Sequence, residues 1–259
     1  MTAMNSKMVV AAGPSDFEPR RIPLHGLKLP ASGEIHAWHL DLGQMGRSLQ
    51  IALDGHDDGA DEITLTAGQL RFARNFYLRL LLGAYLGLPG KSIRINRSDR
   101  GKPVLDATVH PQDLHFSMAK SEDRLLIGFS FGKHLGVDLE LANRRAKDAR
   151  ALARRYFSEA EAESLTKLAP DDLDLAFLRT WACKEAVVKA SGEGIANQLC
   201  RFTVETDPSG PARILEFEDD DATHWSLALL RPEARFVGAV AMRDKAVELK
   251  AFRLLPAER

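Results

Sequence analysis

Gly136-Val137-Asp138-Leu139-Glu140-Leu141 alternates without a break, with Val137, Leu139 and Leu141 on one face of an extended chain and Asp138 and Glu140 on the other. This pattern predicts a β-strand with an apolar back and a carboxylate front, the two acids about 6.5–7 Å apart. Just upstream, Leu125 to Phe131 is a second apolar run, and the intervening Gly132-Lys133-His134 reads as the turn of an antiparallel hairpin. Farther upstream, Glu34 to Leu42 reads as a strand around Trp38. Ala67 to Leu86 carries Leu70, Phe76, Tyr77, Leu80, Leu81, Ala84 and Tyr85 at helical spacing. Downstream come a helical stretch to about Leu168 and a long helix from Asp172 to Ser191. Strand candidates follow at Phe202 to Glu205, Ile214 to Glu218, Trp225 to Leu230, Arg235 to Met242 and Val247 to Leu254. This order predicts an α+β fold with mostly antiparallel sheets. Gly13, Pro14, Pro19, Pro23 and Pro30 make residues 1–33 a loosely held arm, leaving an N-terminal half of 34–134 and a C-terminal half of 135–259.

The 259 residues are 45% apolar, ample for a core, and 35 Lys and Arg nearly cancel 36 Asp and Glu. A generally cationic nucleic-acid binder is thereby disfavoured. The longest apolar run, Leu80 to Leu88, is too short for a bilayer, and Met1 to Asp16 lacks the features of a secretory leader. Cys183 and Cys200 form neither a disulfide framework nor a zinc spacing, so a reducing compartment, the cytoplasm, is expected, with no membrane and no nucleic-acid partner. One local patch is hidden by the totals: Arg144, Arg145, Lys147, Arg150, Arg154 and Arg155 face a single acid, Asp148.

Asp138 and Glu140 have two readings, the solvated side of an amphipathic strand or a hard-cation site, because paired carboxylates repel unless neutralised. A third oxygen ligand is available in Trp181-Ala182-Cys183-Lys184-Glu185-Ala186-Val187-Val188-Lys189, where Trp181, Lys184, Glu185 and Lys189 span about 140° of a helix. Glu185 and Lys189 are equally a common i,i+4 surface pair. Gly192-Glu193-Gly194 can end that helix and admit a ligand close to the backbone. Ser158-Glu159-Ala160-Glu161 forms a capping box.

Taken together and in order, Gly136 to Glu140, Phe157 to Glu161 and Trp181 to Ile195 resemble the signature of the 4′-phosphopantetheinyl transferases, over roughly residues 34 to 255. Arg100-Gly101-Lys102-Pro103 and the arginine-bearing helix look like the larger, pseudo-dimeric form of that family. The resemblance implies two similar α/β halves in a pseudo-twofold arrangement, with a coenzyme A cleft between them. It implies a monomer that transfers the phosphopantetheine arm of coenzyme A to a serine of an acyl or peptidyl carrier protein, releasing adenosine 3′,5′-bisphosphate. Asp138, Glu140 and Glu185 would hold Mg²⁺, or Mn²⁺ in its place. Lys184 and Lys189 would contact phosphate oxygens, with Lys102, Arg71, Arg79 and Ser117 also binding coenzyme A. Lys189 could assist the leaving phosphate. The base that deprotonates the serine would be Glu161 or Glu185, and the capping box gives Glu161 a competing structural role.

Two positions depart from the family. The family's Ser-His pair before the metal strand falls here on Ser117 and Met118, and a thioether cannot bind phosphate; a basic residue between the two glycines is replaced by Glu193. The basic patch is either a solvated helix face or a docking surface, through Arg144, Arg150 and Arg154, for an acidic carrier protein. The rival to a transferase is a non-catalytic module of the same descent that binds coenzyme A or a carrier protein.

Overall fold

The computed structural model describes residues 11–54, 65–132, 134–142, 148–192, 199–207, 209–244 and 248–258. In chain order the elements are strands β1 (Ala11–Ala12), β2 (Phe17–Arg21) and β3 (Glu34–Asp41) and helices α1 (Leu42–Asp54) and α2 (Ala67–Leu86). Strands β4 (Ile95–Arg97), β5 (Pro103–Leu105), β6 (His115–Ser121), β7 (Arg124–Ser130) and β8 (Leu135–Leu141) follow. Helices α3 (Ala149–Tyr156), α4 (Glu159–Thr166) and α5 (Pro170–Ser191) lead to β9 (Phe202–Val204), β10 (Ile214–Phe217), β11 (Ser226–Leu230), β12 (Phe236–Met242) and β13 (Glu248–Leu255).

A five-stranded sheet runs β2-β13-β3-β7-β6 and a four-stranded sheet β1-β11-β12-β8, with β4-β5 and β9-β10 as small ribbons. Most pairings are antiparallel; β1 with β11, and β13 with both β2 and β3, are parallel. The fold is α+β and mostly antiparallel, as the sequence predicts. The large sheets pack face to face, with Ile35, Ala37 and Leu126 of one against Val137, Leu139 and Val240 of the other. Trp38, Leu125, Ile127 and Phe252, on the far face of the five-stranded sheet, bury against Met45, Tyr77, Leu78 and Leu81 of α1 and α2. Ala186 and Val187 of α5 cover the opposite face of the four-stranded sheet through Val237, Ala239 and Ala241. Four layers result, helix, sheet, sheet, helix, so both sheets bury both faces.

Local signals set the helix ends. Thr66 caps α2 by accepting from Gln69 N while Thr66 N donates to Gln69 Oε1, and Gly87 closes it at φ +67°. Gly192, at φ +74°, closes α5.

One expectation is corrected. The apolar runs flanking residues 132–134 do not form a hairpin: β7 pairs with β3 and β6, while β8 leaves for the other sheet and pairs with β12. Gly128 marks the change, since a Cβ there would meet Val137 at 2.8 Å; the two strands stack across the sheet interface instead of sharing a ladder. Lys133 of the expected turn lies outside the described residues. Within the N-terminal arm, Phe17–Arg21 is an edge strand of the five-stranded sheet with Phe17 buried. β13, from the end of the chain, sits between β2 and β3.

The contact between β8 and α5 is the tightest of these interfaces. A Cβ on Gly136 would lie 1.9 Å from Ala186 O and 2.5 Å from Ala190 N. Gly136→Ala is therefore expected to cost about 1–3 kcal/mol or more through overpacking, read as a fall in Tm. Gly192→Ala, where the added methyl meets nothing within 4 Å, should cost only the left-handed backbone strain, about 1–2 kcal/mol.

Candidate functional site

On β8 the residues 136, 138 and 140 share the face turned to α5, so the glycine that lets the helix approach also brings Asp138 beneath it. Lys189 Nζ lies 2.6 Å from Asp138 Oδ1, and Asp138 Oδ2 is buried without a hydrogen-bond partner among the described residues. Glu185 and Lys189, four residues apart, stand about 40° from each other around α5 and share that side. Burial raises the Asp138 carboxyl above its ordinary value, while Lys189 opposes the rise. Glu185 is raised by burial and by Asp138 itself, against Lys189. Two desolvated carboxylates thus confront one half-exposed ammonium, an arrangement short of positive charge. Glu140 is partly exposed on the same strand face. Among the described residues no three His, Cys, Asp or Glu side chains are gathered closely enough to hold a metal ion, and Asp138 is paired with Lys189.

Two cavities open beside this cluster, of about 420 and 320 Å³. Arg100, Lys102, Phe116 and Gly192 line both; His115 lines the larger, and Ser117, Met118 and Lys189 the smaller. Their walls come from residues 98–118 on one side and 188–192 on the other. Lys102 Nζ donates to Leu135 O and Lys189 O, each at 2.9 Å; burial and the Lys189 charge bring its pKa down to about 8. Ser117 is buried and its Oγ accepts from Val137 N at 3.1 Å, so it ties β6 to β8 as well as lining the cleft. Arg100, absent from the expected site residues, donates to Gly192 O at 2.9 Å; its place in Arg100-Gly101-Lys102-Pro103 was the available signal.

Four expected residues lie elsewhere. Lys184 has no exposed surface: its Nζ donates to Leu199 O at 2.6 Å and Phe202 O at 2.5 Å, pairs with Glu161 Oε2 at 2.9 Å and stands over the Phe202 ring. A phosphate cannot reach it without unpacking α5 from β9, so Lys184 is framework. Burial lowers its pKa and Glu161 holds it up. Glu161 is likewise buried; Oε2 also accepts from Ser158 N and Oε1 from Val204 N, which completes its capping box and leaves no oxygen facing a cleft. Arg79 lines a different groove, with Ile22, Phe76 and Lys91, and Arg71 is exposed and lines none of the cavities described. Of the basic patch, Arg144, Arg145 and Lys147 lie outside the described residues, as does Glu193. Arg150 donates to Leu168 O at 3.3 Å, and Arg154 and Arg155 are exposed. Among the described residues no helix is long and apolar enough to cross a membrane.

Fold and cleft define a class: an α+β protein whose clustered acids and lysines suit binding and charge stabilisation at a phosphate-bearing substrate. The family model of the 4′-phosphopantetheinyl transferase superfamily matches residues 134–241. The chain is 32% identical over 225 residues to the 4′-phosphopantetheinyl transferase HetI of Nostoc sp., covering 82% of this chain and 88% of that protein. It is 29% identical over 128 residues to the 4′-phosphopantetheinyl transferase of Bacillus subtilis, covering 49% and 54%. With the human L-aminoadipate-semialdehyde dehydrogenase-phosphopantetheinyl transferase the identity is 26% over 157 residues, covering 54% and 50%. The chain belongs to the 4′-phosphopantetheinyl transferase superfamily.

Two outcomes follow from this geometry. Lys184→Met leaves Glu161 buried without its counter-charge and should cost about 3–5 kcal/mol, seen in denaturant melts; adding Glu161→Gln should recover part of it. If Glu161→Gln alone cuts turnover at unchanged Tm, Glu161 is catalytic after all. For Asp138 and Glu185 the folded pKa lies above the unfolded one, so the folded protein binds their protons more tightly. Stability from this source is therefore present at low pH and lost as pH rises through the raised values. If these acids bind Mg²⁺, it should add about 2.7 kcal/mol to the unfolding free energy at pH 7 at a hundredfold excess over its Kd, read as a higher Tm. Both acidification and Asp138→Asn should weaken the gain.

Proposed function

We propose that the protein transfers the 4′-phosphopantetheine arm of coenzyme A to a serine hydroxyl of an acyl or peptidyl carrier protein, releasing adenosine 3′,5′-bisphosphate. The observation that carries this reading is that Lys189, which lines a cleft also walled by Lys102 and Arg100, is paired with the buried Asp138 and shares its helix side with the buried Glu185. Family membership supplies the reaction class. The reading takes the protein as a monomer, as the larger single-chain form of the family implies.

Asp138 and Glu185, with Glu140 beside them, would hold Mg²⁺. The unpartnered buried Oδ2 of Asp138 and the raised pKa of both acids fit a missing cation. When bound, Mg²⁺ supplies positive charge against the pyrophosphate. Lys189, half-exposed beside Asp138, is placed to donate to a phosphate oxygen and to stabilise charge on the leaving phosphate. Lys102 and Arg100 line the opposite wall, their side chains bonded to main-chain carbonyls of Leu135, Lys189 and Gly192. Glu185 accepts the proton of the incoming serine, since Glu161 is enclosed by Ser158, Val204 and Lys184. Coenzyme A fills the two adjoining cavities. Met118, in place of a basic side chain, offers the smaller one an apolar wall. The exposed Arg154 and Arg155 remain the described part of the docking patch for an acidic carrier protein.

The deciding experiment incubates the protein with coenzyme A, Mg²⁺ and a panel of apo carrier proteins, read by intact-protein mass spectrometry. One phosphopantetheinyl group should appear on the carrier serine, and Asp138→Ala or Glu185→Ala should lower the rate by orders of magnitude with the fold retained. Measurable coenzyme A binding without an adduct on any carrier would favour a non-catalytic binding module.

A further inference from the structure

We propose that the tip of the β4–β5 hairpin is a clasp, in which Lys102 and Arg100 are positioning residues that hold the end of α5 against β8 and so keep Lys189 opposed to Asp138. The inference uses the transfer reading above only for its kinetic readout.

The tip is itself well ordered by bonds. Arg97 pairs with Pro103 in the ribbon, Ser98 N donates to Lys102 O and Gly101 N to Ser98 O, both at 2.8 Å, and Lys102 N donates to Ser98 Oγ. Arg97 Nη1 donates to Gly101 O, with Gly101 at φ +82° where a side chain would be strained. From this base two cations reach across the chain. Lys102 Nζ bridges Leu135 O, at the first residue of β8, and Lys189 O, at the last turn of α5. Arg100 Nη1 takes Gly192 O, at the residue that ends the helix.

Lys189 O is one of the carbonyls a helix C-terminus leaves unsatisfied and Gly192 O belongs to the capping residue, so cations there also meet the negative end of the helix dipole. Val188 O is already taken by Gly192 N. The hairpin supplies donors to Lys189 O and Gly192 O. One ammonium therefore joins the start of β8 to the end of α5, on either side of the Gly136 contact, and it grips the main chain of Lys189 whose side chain meets Asp138. Two of its three N–H bonds are spent on carbonyls, which distinguishes a positioning role from direct phosphate contact.

Hydrogen exchange and kinetics on Lys102→Met, Lys102→Arg and Arg100→Ala separate the roles. In the ligand-free protein, Lys102→Met and Arg100→Ala should speed exchange at residues 135–138 and 188–192 by tenfold or more and leave α2 unchanged. Turnover should fall by about 10–100-fold, as small misplacements of catalytic groups do, with the Kd for coenzyme A within a few-fold of the parent. Lys102→Arg, which keeps the donors, should recover most of both. Unchanged exchange with a Kd raised tenfold or more would overturn the clasp and make Lys102 a ligand contact. Faster exchange with unchanged turnover would overturn the positioning role. If the parent transfers nothing to any carrier, the function reading fails on that control, while the exchange data and the separation of Lys189 from Asp138, read by the Lys189 side-chain NMR signal, still decide the clasp.

Discussion

The approach of α5 to β8 at Gly136 is the constraint on which the rest depends. No side chain fits between the strand and the Ala186 carbonyl, so the helix lies directly on the backbone. That closeness brings groups from residues 138 and 189 within 2.6 Å, and a longer separation would leave the buried Asp138 carboxylate with no counter-charge. The sheet interface on the other side of β8 fixes the same strand from below, through Val137 and Leu139 packed against the five-stranded sheet. The strand is thus held by apolar contact on one face and charge on the other, as its alternation requires.

Lys184 and Lys189 show how a single stretch of helix divides its charges. Five residues apart, they stand about 140° from each other around α5. Trp181 lies between them and packs on Phe157, Phe177 and Tyr156. One edge of the fan therefore turns to β9 and α4, where Lys184 meets Glu161, two carbonyls and the Phe202 ring. The other edge turns to β8 and the cleft. A buried ammonium is costly unless its donors are satisfied, and these partners satisfy all of them. The same residue type, five residues apart, braces the fold in one case and lines the cleft in the other.

This division marks the limit of what was legible. Periodicity located α2 and α5 to within a few residues, because long amphipathic helices with a glycine stop carry redundant signals. It also located β3 and β11–β13 closely. It missed α1, which follows β3 directly and whose cap, Asp41 accepting from Gln44 N at 2.9 Å, is the last residue of the strand itself. It joined β7 to β8 because two apolar runs with a glycine turn between them look the same whether they pair or stack. In the site, helical spacing brought Glu185 and Lys189 together and alternation placed Asp138 on one strand face, but a fan of 140° cannot say which edge meets which neighbour. Glu161 was ambiguous for the same reason: Ser158 to Glu161 specified a cap, and only the packing of β9 against α4 encloses the remaining oxygen. Arg71 and Arg79 lay on a cationic flank whose direction the sequence did not fix.

Charge balance links the site to its chemistry. Burying Asp138 and Glu185 costs free energy that Lys189 alone offsets incompletely, and the raised pKa of both acids is the measure of that deficit. A cleft arranged in this way favours any ligand that brings positive charge to the acids and negative charge to Lys189 at once. A divalent cation together with a pyrophosphate does both, so each partner improves the site for the other. The acids alone would repel the phosphates, and the lysine alone would leave them uncompensated. On the transfer reading proposed above, a preference for the pair over either component would follow from which side chains the Gly136 contact forces together.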